Sequence, residues 1–215
     1  MVYLSDACEH RLERFSYFKG WSWRFKLPPH LVGREIINFL EWLGMQVNIL
    51  LGFLFTDIAK GDCLLPLGDN TSAIRWLYGV GFDDGTHSVQ QDMSRDFCYK
   101  MIEKDCVLYP HHIPGIWNIL ADSLSRDFHR NDISLIHLLQ FLCPLQIPTN
   151  FRIIQLPPEI TFFILSSLER LLKRQHAQQT PTKSMIGRGL SGSVSWNGLT
   201  STTIYFLIQS QWNGG

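Results

Sequence analysis

The chain has 215 residues, 45% of them apolar, which is enough to bury the core of one ordinary domain with extensions. Lys plus Arg and Asp plus Glu both number 19, so net charge predicts neither a nucleic-acid nor an acidic partner. Five widely spaced cysteines without a Cys-x-x-Cys pair argue against a disulfide framework and favour a reduced, intracellular protein, cytoplasmic or nuclear. The most apolar segment, 47–55, is shorter than the ~20 residues of a membrane-spanning helix, so no membrane span is predicted.

The first fifty residues predict two strands and a helix. A short β-like run at 2–4 leads to Asp6, and strict alternation over 21–26 predicts a half-buried strand with its aromatic residues in the core. Apolar residues recur at helical spacing from 34 to 51, with Glu41 beside the apolar stripe. No strand is predicted between Asp6 and Gly20.

The next segment predicts a strand followed by two helices. Residues 64–67 read as a strand, although Pro66 weakens that prediction because proline cannot donate to a β-ladder. Thr71 or Ser72 is expected to cap a helix that runs through Trp76. Residues 79–86 predict a loop, and 88–104 an amphipathic helix.

The remainder of the chain predicts one more strand and three helices. The strand covers 106–109, a helix begins near Asn118, and further helical segments cover 134–142 and 158–174. From Gln175 onward Ser, Thr, Gly and Gln dominate, which indicates a disordered tail. The order of elements predicts an α/β protein with layers of helices on a mixed sheet.

Four carboxylates stand where predicted elements begin or end, or beside a helix stripe: Asp6, Glu41, Asp69 and Asp122. Divalent cations such as Mg²⁺ prefer oxygen ligands, and carboxylates drawn together without a cation repel one another. A single Asp in such a place is more often a helix cap or turn residue. Only the four carboxylates taken together therefore favour a metal site.

Four sequence motifs surround these carboxylates. "VYLSDAC", "IINFLEWLG", "LGDNTSAIRWL" and "HHIPGIWNILADSLSRDFH" resemble, in the family's order, the motifs of the ribonuclease H domain of retrotransposon reverse transcriptases. The motif sequences are most similar to those of the DIRS-type and gypsy-type branch of retroelements. The resemblance covers about residues 1–132 and implies a ribonuclease H-like fold, a central mixed β-sheet flanked by helices with an acidic cluster on its face.

The resemblance also implies a chemistry. Asp6 and Asp69 would be the central ligands and Glu41 and Asp122 the flanking ligands of two Mg²⁺ or Mn²⁺ ions, which catalyse hydrolysis of the RNA strand of an RNA–DNA hybrid. The implied partners are that hybrid and a reverse transcriptase polymerase domain. The residues expected to bind the substrate are Asn70, Thr71, Ser72 and Asn118. The implied division is a ribonuclease H-like domain (1–132), a helical connector (133–174) and a disordered tail (175–215).

Two departures from the family pattern favour an alternative. The segment "EHRLERFSYFKG" lacks the glycine-rich hairpin that follows the first motif, which predicts a displaced Asp6, and Pro66 lies in the strand that presents Asp69. The alternative is a catalytically decayed ribonuclease H-like remnant that at most binds nucleic acid. A third reading is an unrelated α/β scaffold with chance motifs. His111 and His112 are expected to be ordinary strand-end residues.

Overall fold

The computed structural model describes residues 2–8, 10–16, 20–32, 36–55, 58–78, 89–118, 121, 124, 127, 129–145 and 147–179. The strands are β1 (Val2–Cys8), β2 (Arg11–Ser16), β3 (Trp21–Lys26), β4 (Cys63–Gly68), β5 (Val107–Leu108), β6 (His111–His112) and β7 (Arg152–Ile154). The helices are α1 (Ile37–Leu54), α2 (Thr71–Tyr78), α3 (Val89–Glu103), α4 (Asp132–Leu142) and α5 (Pro158–Gln179). The predicted loop 79–86 and nearly all of the predicted tail, 180–215, lie outside the described residues.

Among the described residues the strands form one mixed sheet, in the order β5-β4-β1-β2-β3-β7, and β6 also pairs with β4. Strands β1, β2 and β3 are an antiparallel meander, whereas β4 lies parallel to β1, and β5 and β6 lie parallel to β4. Helix α1 provides the crossover between the meander and β4. The predicted α/β architecture, a mixed sheet flanked by helices, is confirmed at this level.

Strand β2 lies in the segment that lacks the glycine-rich hairpin, and it was not recognised from the sequence. Its residues alternate poorly because both faces of this central strand are covered: Leu12 packs with Trp23 on one face, and Phe15 packs with Phe151 on the other. The strand also carries Glu13, which is fully buried. A charged strand without a period of two is hard to recognise from sequence.

The helices are divided between the two faces of the sheet. Helix α1 lies on the face formed by Trp21, Trp23 and Leu12, together with α5 and parts of α2 and α3. Leu135 and Leu139 of α4 cover the opposite face. Trp21 and Trp23 are therefore core residues, as predicted. Helix α1 is long and apolar enough to pass for a membrane span, yet most of it is buried as the central core helix.

Strand β4 continues through Pro66, so the strand predicted over 64–67 is confirmed. The carbonyls of Leu64 and Gly68 accept hydrogen bonds from the residues that follow β5 and β6. Backbone groups two residues apart point the same way in a strand, so the Pro66 nitrogen also faces that side. The Pro66 nitrogen lies opposite residues 109–110, which interrupt the neighbouring strand. No hydrogen bond is needed there, so the missing N–H donor of Pro66 lowers the stability of the sheet little.

The segment predicted to be a helical connector contributes to the same sheet and core. Strand β7 extends the sheet by pairing parallel to β3, from Trp21↔Arg152 to Trp23↔Ile154. Gly20 adopts a positive φ of 62° just before β3, and a Cβ there would lie 2.9 Å from the Pro148 ring. Helix α5 extends beyond the predicted 158–174 to Gln179. The division into three regions stays a prediction.

Candidate functional site

The parallel register between β1 and β4 brings two of the predicted ligands side by side. Leu4 is the partner of Leu67, so continuing both chains by two residues sets Asp6 beside Asp69. Neighbouring strands lie about 4.8 Å apart, a distance that two carboxylate side chains easily bridge. Asp6 lies within β1, whereas Asp69 comes directly after the end of β4. The expected displacement of Asp6 is therefore wrong, because β2 pairs with β1 without the glycine-rich hairpin.

Glu41 approaches the same point from helix α1. Its side chain is 3% exposed, and its Oε1 accepts a hydrogen bond from the backbone nitrogen of Ala7 at 2.7 Å. A hydrogen bond from a backbone N–H to a carboxylate is charge-assisted and fixes the carboxylate geometrically. The contact ties the second turn of α1 to the residue after Asp6, so helix and strand present their carboxylates together.

Asp6, Glu41 and Asp69 form a compact acidic cluster. One ligand oxygen from each lies within 4.8 Å of the other two, although the residues come from three separate segments. Three carboxylates at this spacing repel one another, and a divalent cation removes that repulsion while satisfying its own preference for oxygen. The donor set thus fits a hard cation such as Mg²⁺ or Mn²⁺. Asp122, the fourth predicted ligand, lies outside the described residues.

Asp69 is positioned by the segment that follows β6. A Cβ added to Gly115 would lie 3.0 Å from Asp69 Oδ2, so the missing side chain leaves room for this carboxylate. The Nε2 atom of His112 lies 3.1 Å from the Asp69 carbonyl oxygen, a contact that requires the proton on Nε2 because a carbonyl only accepts. His111 and His112 are strand residues paired with the end of β4, as predicted.

Asn70 is the cap of helix α2, which corrects the choice of Thr71 or Ser72. Its Oδ1 accepts from the Ala73 backbone nitrogen at 3.0 Å, and its Nδ2 donates to Oδ1 of Asn38 at 2.9 Å. The amide therefore links α2 to α1 beside the acidic cluster. This structural use of Asn70 competes with the predicted substrate contact, which stays a prediction.

The other three predicted substrate-binding residues differ in accessibility. Thr71 is exposed and Ser72 is half-buried in the first turn of α2, next to Asp69. Asn118 is 1% exposed, and its backbone nitrogen donates to the Gly115 carbonyl at 2.9 Å. A direct contact between the Asn118 side chain and a nucleic acid would require this turn to open, so its predicted role also stays a prediction.

Sequence reasoning missed residues that surround the cluster. Asn38 lies one helical turn before Glu41 on the same face of α1, a spacing that was visible in the sequence. Glu13 is the cross-strand partner of Asp6 and is fully buried, but it belongs to the unrecognised strand. Arg24, the partner of Glu13 on β3, forms an ion pair with Asp132 at 2.8 Å.

Cys8, two residues after Asp6, is a thiol near the cluster. Burial raises its pKa, and the negative charges of Glu13 and Asp6 raise it further. The thiol is therefore protonated at neutral pH, which suits neither a metal ligand nor a nucleophile. All five cysteines are free of disulfide bonds in the structure.

Comparisons with known proteins found no matching family model, no matching curated protein and no matching solved structure. The sequence motifs and the geometry of the carboxylates are therefore the features that indicate a function.

Proposed function

We propose that this chain is the ribonuclease H part of a retrotransposon reverse transcriptase, a metal-dependent endonuclease that cleaves the RNA strand of RNA–DNA hybrids. The observation that carries the proposal is the convergence of Asp6, Glu41 and Asp69 within 4.8 Å. The motifs single out these three residues by resemblance alone. Their independent meeting in space is what a shared catalytic role requires.

The position of the cluster in the sheet supports the same function. Asp6 and Asp69 lie at the carboxyl ends of two adjacent parallel strands, the edge where open α/β sheets usually bind ligands. A mixed sheet flanked by helices, with acidic residues at this edge, is what the resemblance to ribonuclease H implies. In that fold Asp122 would complete the ligand set.

The residues of this chain would divide the work of hydrolysis. Asp6 and Asp69 would hold two divalent ions, with Glu41 kept rigid by its bond to the Ala7 nitrogen. When bound, these ions supply an activated water and neutralise the charge on the leaving 3′ oxygen. Preference for RNA would come from contacts to 2′-hydroxyls in the wide minor groove of the hybrid.

The test is cleavage of a labelled RNA–DNA hybrid by the purified full chain with Mg²⁺ or Mn²⁺. Asp69→Asn is expected to abolish cleavage, since it removes a ligand charge without changing shape. Asp105→Asn is a matched control, because Asp105 is exposed just before β5 and has a positive φ of 53° that Asn also adopts.

Cleavage by the wild type and the control, with loss in Asp69→Asn, supports the proposal. A folded wild-type protein that binds the hybrid without metal-dependent cleavage would instead support the decayed remnant. Equal cleavage by wild type and Asp69→Asn refutes a catalytic role for the cluster.

A further inference from the structure

The turn after β6 is held against the acidic cluster. Gly115 faces the Asp69 carboxylate, with its missing Cβ position 3.0 Å from Oδ2. The following residues are fixed by backbone hydrogen bonds, from Trp117 to the Pro114 carbonyl at 2.8 Å and from Asn118 to the Gly115 carbonyl at 2.9 Å. Consecutive Cα atoms are 3.8 Å apart, so the Trp117 Cα lies within about 7.6 Å of the Gly115 Cα.

This turn presents two large apolar side chains to solvent. Ile116 is 76% exposed and Trp117 is 69% exposed, and both follow directly after Gly115, which faces Asp69. Trp21, Trp23 and Trp42 are by contrast almost fully buried. A single exposed apolar residue needs no explanation, but two in succession on a rigid turn next to a charged cluster indicate a contact surface.

We propose that Ile116 and Trp117 form the surface on which the sugar backbone of the nucleic-acid substrate packs beside the scissile phosphate. The inference rests on the proposed function and specifies how the substrate is held. Carboxylates repel a phosphate unless cations intervene, and an uncharged contact beside them adds affinity that does not depend on those cations. The accessible uncharged parts of a duplex are its sugars and base edges, and a flat indole ring covers them without regard to sequence.

The size of the contact sets the expected effect of removing it. Burying about 80 Å² of apolar surface, part of an exposed indole ring, corresponds to about 30-fold in a dissociation constant. Trp117→Ala is therefore expected to raise KM for the hybrid by about 10- to 30-fold. The kcat at saturating substrate should change less than about 2-fold, because the contact is the same in the ground state and the transition state.

Initial rates of hybrid cleavage by the full chain test the inference. Trp117→Phe retains an aromatic face, so its KM is expected to stay close to that of the wild type. Tyr99→Ala is the matched control: Tyr99 is 65% exposed on α3. That helix ends beside the start of β4, where the Gly61 nitrogen lies 3.2 Å from the Lys104 carbonyl oxygen, so Tyr99 lies toward the opposite end of β4 from Asp69.

The outcomes separate this inference from the proposed function. A raised KM in Trp117→Ala alone, with unchanged kcat and unfolding midpoint, supports the contact surface. A KM within 2-fold of an active wild type, an equal rise in Tyr99→Ala, or a loss confined to kcat overturns it and leaves the nuclease assignment intact. A wild type that neither binds nor cleaves the hybrid overturns both.

Discussion

Replacing Asp69 with Asn is expected to stabilise the protein when no divalent cation is present. The change removes one negative charge from a site in which three carboxylate oxygens lie within 4.8 Å of one another. It leaves the side-chain volume almost unchanged, so the packing against Gly115 is preserved. A charged residue that serves function at the expense of stability is expected to stabilise the protein when its charge is removed.

The magnitude follows from two charge pairs, Asp69 with Asp6 and Asp69 with Glu41. At 4.8 Å each repulsion costs about 0.9 kcal/mol in water and about 3.5 kcal/mol at an effective dielectric constant of 20. Asp69 is only half-buried, so solvent screening moves the total toward the lower limit. We expect a gain of about 2 kcal/mol in the free energy of unfolding, or about 4–8 °C in Tm for a chain of this size.

Urea unfolding followed by circular dichroism measures this difference, first in chelator and then with increasing Mg²⁺. Magnesium at 100 times its Kd should stabilise the wild type by about 2.7 kcal/mol and should have little effect on Asp69→Asn, so the order of stability reverses. Asp105→Asn should match the wild type throughout. If Asp69→Asn is no more stable than the wild type in chelator, the carboxylates do not repel one another and the argument for a cation site fails.

Three further outcomes follow from single contacts. Gly115→Ala forces the Asp69 carboxylate aside, so calorimetry should show about 10-fold weaker Mg²⁺ binding with unchanged secondary structure; unchanged affinity would contradict the positioning role. Asn70→Ala removes the cap of α2 and should lower the free energy of unfolding by about 1–2 kcal/mol, whereas no loss in urea unfolding would contradict the capping contact. Burial raises the pKa of the Cys106 thiol, so its neutral form contributes stability at neutral pH that is lost as pH rises above about 8.5. Mass spectrometry after iodoacetamide at pH 8 should therefore find the exposed Cys63 alkylated before Cys106, and the reverse order would refute the burial argument.

Elements with strong periodicity could be predicted from the sequence, and the central strand could not. The alternation of Trp21, Trp23 and Phe25 defined β3 to the residue, because one face of that strand meets a helix layer. Strand β2 has apolar residues on both faces and charges between them, a pattern that the three-dimensional pairing explains and the linear sequence conceals. The parallel strand β7 pairs with β3 across more than a hundred residues of chain, and its three residues are too few for a period of two to be recognised.

The sequence named three carboxylates that the structure brings together, but it did not indicate how they meet. The motifs named Asp6, Glu41 and Asp69, yet their meeting depends on the β1–β4 register and on the Ala7–Glu41 hydrogen bond. The cap of α2 was placed one or two residues too late, because Asn caps helices as well as Ser or Thr does and all three types occur in succession here.

The shared register of β1 and β4 makes this protein sensitive to the length of its strands as well as to their composition. Deleting one residue between Leu4 and Asp6 would keep the strand apolar and paired, yet every side chain beyond the deletion would turn to the other face of the sheet. Asp6 would then point away from Asp69. In a gene that gains and loses single codons, such a change would separate the acidic cluster without any substitution of a carboxylate.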